Sequence, residues 1–193
     1  MNPVASPKDW ETVVLAGRFL YYQSMRYALL TSPESFVDEI DLIEKIFDIG
    51  LDALYIRKPN LSERALDRFL LSLAEPIREQ SFLCGSPSKA LEFGLLGFHV
   101  SADFCVRNAD ATMRASGLLS VYAENQDDWR KIPEDVLCKV STLVVDSLDG
   151  FPGSAFVASD ATELPADAEN FFITSGIWEF ADPVSAWRRL CGR

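Results

Sequence analysis

The chain is predicted to fold as an α/β protein, a parallel (β/α)8 barrel that is incomplete or distorted in its C-terminal half and carries an extra N-terminal helix. Three observations lead there. From Arg26 onward, short apolar runs alternate with amphipathic stretches, the pattern of βαβ units whose parallel strands require crossover connections. Eight such runs can be identified, which favours a barrel over an open sheet. The last connections, however, are shorter than a crossover with its own helix usually is.

The elements follow in order. Arg26-Tyr-Ala-Leu-Leu-Thr31, bounded by Ser32-Pro33, is the first buried strand. Phe36, Ile40, Ile43 and Phe47 recur at spacings of four, three and four, one apolar stripe along a helix, and Gly50 stands in a helix-stop position. Ala53-Leu-Tyr-Ile-Arg57 is the second strand, ended by Pro59. Ser62 caps a helix with Leu66, Phe69, Leu70 and Leu73 on one face, and Pro76 stops it. Phe82-Leu-Cys84 is the third strand. Ser86-Pro87 then opens a short helix reaching Gly94, and Gly97-Phe-His-Val100 is the fourth strand.

In the second half, Leu118–Tyr122 and Thr142–Val145 are the fifth and sixth strands, with a helical segment from Asp127 to Leu137 interrupted by Pro133. Ala155–Ala158 and Phe171–Thr174 are the seventh and eighth, and Pro183–Leu190 is a closing helix. About ten residues, with Gly150, Pro152 and Gly153 among them, separate the sixth strand from the seventh, and about a dozen separate the seventh from the eighth. One or two helices should therefore be missing, leaving the barrel distorted or partly open. A single domain spans 1–193, with 1–24 as a helical extension and 25–193 as the barrel. Trp10, Val13, Val14, Phe19 and Tyr22 give the extension an apolar surface that could plug the barrel bottom or meet a neighbouring chain. The alternative is a dispensable leader ahead of Met25.

Composition narrows the function classes. At 193 residues, 48% hydrophobic and 24% charged, the chain can bury a core of its own without a metal or disulfide. No apolar run is long enough to span a bilayer, and the residues after Met1 lack a signal-peptide pattern. The four cysteines are far apart, with no CxxC pair, which suits reduced thiols and a cytoplasmic location. A net charge of −11 speaks against nucleic acid as a partner, but a small anion needs only a local basic group.

Arg57-Lys58 is that group. The carboxyl ends of the strands form the active face of a parallel barrel, so both cations are expected in the mouth. Arginine would supply a planar fork for phosphate and lysine a mobile point charge. A surface ion pair with a neighbour such as Glu63 is the alternative. His99, the chain's one histidine, and Glu124 form an acid/base pair if both face the mouth. Otherwise His99 is an inward histidine hydrogen-bonded inside the barrel. Phe171, Phe172, Trp178 and Phe180 make an aromatic-rich tail, mostly core.

From Tyr27 to Ser101 the sequence resembles the thiamine phosphate synthase/TenI family. The resemblance rests on Thr31-Ser32-Pro33, on Gly50-Leu-Asp-Ala-Leu-Tyr-Ile-Arg-Lys-Pro59, on Gly97-Phe-His-Val-Ser101 and, more weakly, on Ser175-Gly-Ile-Trp178. These are similar to the family's G-x-x-x-x-Q-L-R-x-K (H-L-R-K-P in some members), G-V-H-L-G-Q and closing S-A-I or G-D-I-W segments. The resemblance implies a TIM-type barrel and a place in thiamine biosynthesis. Synthases of the family join a pyrimidine diphosphate to a thiazole phosphate with Mg²⁺, and TenI members aromatise the thiazole. It also implies that Arg57 and Lys58 bind phosphate and that Ser175 and Gly176 offer backbone N–H groups to a thiazole phosphate.

The departures qualify that implication. Cys84-Gly85 replaces an Asn-Asp pair, Ser101-Ala102 replaces Gly-Gln, and Asp103 is left as the one weak metal candidate. Glu124 stands near the tautomerase histidine position. Asp149-Gly150-Phe151 and Ser159-Asp160 replace the Thr-x-Thr-Lys and Gly-Gly phosphate segments. The expectation is reduced or lost transferase activity, a pseudoenzyme-like barrel that still binds a phosphorylated small molecule, with Mg²⁺ a cofactor only if synthase activity survives. Two alternatives stand beside it: a non-catalytic interaction or regulatory subunit, dimeric through exposed barrel wall, and a small-molecule isomerase using His99 and Glu124.

Overall fold

The computed structural model describes residues 27–151, 154–160, 164 and 168–192, and of Ser175 the backbone alone. The expected helix within 1–24 lies outside the described residues. Eight strands, β1 (Tyr27–Leu30), β2 (Ala53–Ile56), β3 (Ser81–Cys84), β4 (Gly97–Ser101), β5 (Leu118–Ala123), β6 (Val140–Val145), β7 (Phe156–Ser159) and β8 (Asn170–Ile173), pair in sequence order and all in parallel. The eighth returns to the first, with Ala28 opposite Phe172, so the barrel is closed.

Alternation along each strand divides the hydrophobic residues into two cores. Outward residues such as Leu29, Leu54, Ile56, Phe98, Val121 and Ile173 pack under the helices. Inward residues, among them Ala28, Ala53, Tyr55, Phe82, Val144, Phe156 and Phe172, fill the lumen. Between β5 and β6 the register shifts by one residue, from Leu119 opposite Val140 to Ser120 opposite Thr142. Ser141 is the extra residue, and its hydroxyl donates to the Leu119 carbonyl at 2.9 Å.

The wall helices are α1 (Glu39–Ile49), α2 (Glu63–Ser72), α3 (Glu75–Arg78), α4 (Pro87–Glu92), α5 (Ala102–Arg107), α6 (Ala109–Arg114), α7 (Gln126–Lys131), α8 (Glu134–Leu137) and α9 (Pro183–Leu190). Ser62 caps α2 through the Ala65 N–H, and Asp182 caps α9 through the Ser185 N–H. Trp187 of α9 is fully buried and meets the Tyr27 ring edge-on at 5.9 Å. None of the described helices is long and apolar enough to cross a membrane.

Three expectations need correction. The barrel is neither open nor broken in its C-terminal half. No helix appears among the described residues of 146–155 or 160–169, as expected, yet β6, β7 and β8 pair in unbroken order. An extended chain advances about 3.4 Å per residue, so ten residues can return along a four-residue strand without a helix. Leu148, Phe151, Leu164 and Ala168 of these connections pack against the outer core in place of the missing helices. Phe36 does not belong to α1: the helix starts at Glu39, after Asp38 adopts a left-handed φ of 65°, and Phe36 instead tilts against Trp178 at 5.9 Å. Pro76 does not end a helix but sits in the first turn of α3, where its missing N–H has no intrahelical partner to lose.

Candidate functional site

The carboxyl ends of the strands surround a cavity of about 710 Å³, lined by residues from every strand or strand end. Phe172 and His99 give it an aromatic lining, and the fully buried Tyr55 and Phe82 rings, which do not line it, pack behind them. The Tyr55 ring stacks on Phe82 at 4.8 Å and 14°, and meets Phe172 at 4.8 Å and His99 at 5.0 Å edge-on. His99 lies nearly parallel to Phe172 at 5.9 Å. Each ring occupies an inward position of its strand, so the alternation that buries Leu54 and Ile56 outside the wall is the same one that stacks Tyr55 inside it.

A chain of polar atoms runs among these rings. The Tyr55 hydroxyl lies 3.0 Å from Ser120 Oγ, and Ser120 Oγ lies 2.9 Å from His99 Nδ1. Burial pushes the His99 imidazole down to about 4, so at neutral pH the ring is uncharged, with one nitrogen donating and the other accepting. His99 thus takes the inward, hydrogen-bonded arrangement weighed as its alternative. Glu124 is exposed beyond the end of β5 and is not among the lining residues. His99 is paired with Ser120, so Glu124 is four residues further on, about 13 Å along the strand direction. The structure does not bring the two together.

Arg57 follows the last residue of β2 on the same inward alternation as Ala53 and Tyr55 and lines the cavity from an exposed position. Thr31 fixes its backbone: the Arg57 N–H donates to Thr31 Oγ1 at 3.0 Å, and that hydroxyl donates back to the Arg57 carbonyl at 3.2 Å. Lys58 points the other way. Its Nζ meets both carboxylate oxygens of Glu39, at 2.5 and 2.7 Å, and the Glu34 carbonyl at 3.1 Å, over the Phe69 ring. Both side chains are essentially without exposure. Burial raises the Glu39 carboxyl and lowers the Lys58 ammonium, each shift opposed by the partner's charge and hydrogen bond. Lys58 therefore borders the cavity, but its ammonium is enclosed with Glu39 and anchors the loop after β1 to β2.

Cys84 lies beside Arg57 at the mouth. Burial pushes its thiol up to about 12, with the guanidinium opposing, so it is a neutral thiol rather than a nucleophile. Asp103 is outside the cavity and pairs with Arg107 at 3.0 Å. Ser175 and Gly176 open a 3-10 turn (Ser175–Glu179) directly after β8. A Cβ at Gly176 would run into the backbone oxygen of Asp160, so only glycine lets this turn close on the end of β7. On the far side of the mouth stand two residues that the sequence reading missed. The Tyr122 hydroxyl donates to Asp146 Oδ2 at 2.7 Å, and burial, then Asp146 and Glu124, push the phenol up to about 12. Asp146 directly follows an apolar strand, the same signal that marked Arg57.

The barrel has a counterpart among solved structures. Its fold is similar to that of a thiamine phosphate pyrophosphorylase. That crystal structure, from Bacteroides thetaiotaomicron, superposes with a TM-score of 0.68 at 16% identity, over 86% of this chain and 96% of the other. At that identity the likeness establishes the fold. No family model matches the sequence, and no curated protein does.

The Mg²⁺ that the sequence resemblance implies can be tested on the donor set. A magnesium ion needs protein carboxylates in addition to substrate phosphates. The end of β3 offers Cys84 and Gly85, Asp103 is engaged by Arg107 away from the cavity, and Asp146 is the lone carboxylate among the lining residues. No cluster of three metal-ligating side chains occurs among the described residues. These residues do not fit a Mg²⁺ site.

Proposed function

We propose that this protein is a thiamine phosphate synthase/TenI-like barrel that binds a phosphorylated thiazole or pyrimidine of thiamine metabolism and has reduced or lost transferase activity. The observation that carries this reading is Arg57, held by Thr31 at the rim of an aromatic-lined cavity of about 710 Å³. A guanidinium grips a phosphate bidentately, while Phe172 and neutral His99, which line the cavity, offer flat surfaces to a heterocycle. The backbone N–H groups of Ser175 and Gly176, in the first turn after the last strand, are a second contact for the phosphate in this reading.

Loss of transfer follows from the donor set. The end of β3 offers no oxygen ligand, and among the described residues no cluster of carboxylates would hold the Mg²⁺ that helps a pyrophosphate leave. Lys58, committed to Glu39, does not replace a second mouth cation. Calorimetric titration with hydroxymethylpyrimidine diphosphate and with the thiazole phosphate should show binding of at least one, weakened tenfold or more by Arg57→Met. Binding of neither overturns the reading. Formation of thiamine phosphate from both precursors with Mg²⁺ present overturns the loss of transfer alone.

A further inference from the structure

We propose that the lumen selects a dipolar aromatic ligand, a ring whose anionic group meets Arg57 and whose opposite side carries an amine-type cation that meets Asp146. This deepens the reading above and rests on Arg57 as the anion anchor. In a ring of eight strands, β2 and β6 are four apart and face each other across the lumen. Arg57 and Asp146 each directly follow the last residue of their strand and both line the cavity, so they stand at the same level. Strands about 4.8 Å apart and tilted by about 36° put the opposite walls about 15 Å apart. Less the reach of the two side chains, that distance accommodates one aromatic ring.

The charges on the two sides are opposite and largely unspent. Asp146 makes no ion pair among the described residues, and its carboxylate receives one hydrogen bond, from Tyr122 to Oδ2. Oδ1 is left to accept from a ligand. Glu124 adds negative charge on the same side, where it acts on Tyr122. Between the poles the lining is uncharged, with the neutral His99 ring and Phe172, whose π-face also favours a cation. A second phosphate at the β6 end would meet this carboxylate and be repelled. An ammonium there would gain a charge-assisted hydrogen bond.

Benzyl phosphate and 4-(aminomethyl)benzyl phosphate, titrated calorimetrically at constant salt and pH 7.5, separate the two ideas. The amine is expected to bind at least tenfold tighter. Asp146→Asn should bring the two affinities within threefold of each other, Asp146→Glu should keep most of the preference, and Arg57→Met should weaken both ligands at least tenfold. Thermal melting of each variant reports folding. Equal affinities in the unmodified protein, or a preference that survives Asp146→Asn, overturn the dipolar ligand and leave the Arg57 anchor standing. Binding of neither compound overturns both.

Discussion

The two faces of the same strands are built from different chemistry. On β2, Leu54 and Ile56 face the helices and Lys58 extends that outward side into a buried ion pair, while Ala53, Tyr55 and Arg57 face the lumen. The outer core is apolar and mainly aliphatic, with Phe69, Phe98 and Trp187 among its buried members. The lumen mixes aromatic rings with Ser120, His99 and, at the rim, Arg57, Tyr122 and Asp146. Outside, apolar burial and one enclosed charge pair set stability. Inside, hydrogen-bonded polar groups join the rings, and the mouth carries opposite charges at Arg57 and Asp146.

The sharpest test of that division is the outward ion pair. Lys58→Met leaves Glu39 buried without its cation and should lower stability by about 3–5 kcal/mol in urea denaturation. The double change with Glu39→Leu should recover most of it, since two apolar side chains avoid both desolvation penalties. A single replacement with little effect would mean that the pair is not enclosed as described. Leu54→Ala, on the outer core, should remove about 3 kcal/mol through lost burial and the cavity it leaves, without changing ligand affinity.

Inside the lumen the effects are smaller and more chemical. The His99 imidazole is pushed down to about 4 from an ordinary 6.5, so the unfolded chain takes up its proton first as pH falls. The stability of the neutral ring is fully present above pH 6.5 and is lost between 6.5 and about 4. The ring is only half-buried, so about 2 kcal/mol is a discounted size for this effect. Urea midpoints at pH 7.5 and 4.5 should differ less in His99→Asn than in the unmodified protein. Tyr55→Phe removes one end of the Ser120–His99 chain and should lower stability by about 1 kcal/mol. Arg57→Met should change stability by no more than about 0.5 kcal/mol while lowering phosphate affinity at least tenfold, the clearest separation of wall from mouth.

The same division decides what was legible in the sequence. Outward aliphatic residues appear as short apolar runs, so all eight strands could be located before any coordinates. Closure could not be read, because a ten-residue gap looks too short for a crossover and only the packing of Leu148, Phe151, Leu164 and Ala168 shows how a loop covers the wall. Phe36 fitted a helical stripe by spacing alone, and the left-handed Asp38 leaves no trace in that pattern. In the mouth, Arg57 was visible as a cation at a strand end. Asp146 follows an apolar strand in the same way, but a lone carboxylate there carries no family motif to mark it as a site. The direction of Lys58 was unreadable, since its partner Glu39 lies on another element.

The irregular pairing at Ser141 has a consequence for how this barrel can change. It absorbs one surplus residue low on β6, so Thr142, Val144 and Asp146 keep step with Ser120 and Tyr122 although the strand carries an extra residue. The slack is taken up at the bottom of the barrel, like an expansion joint beneath a rigid rim. Deleting Ser141 should therefore straighten the strand without turning Asp146 away from the lumen. Insertions and deletions in the segment before β6 can accumulate there while the geometry of the mouth is conserved.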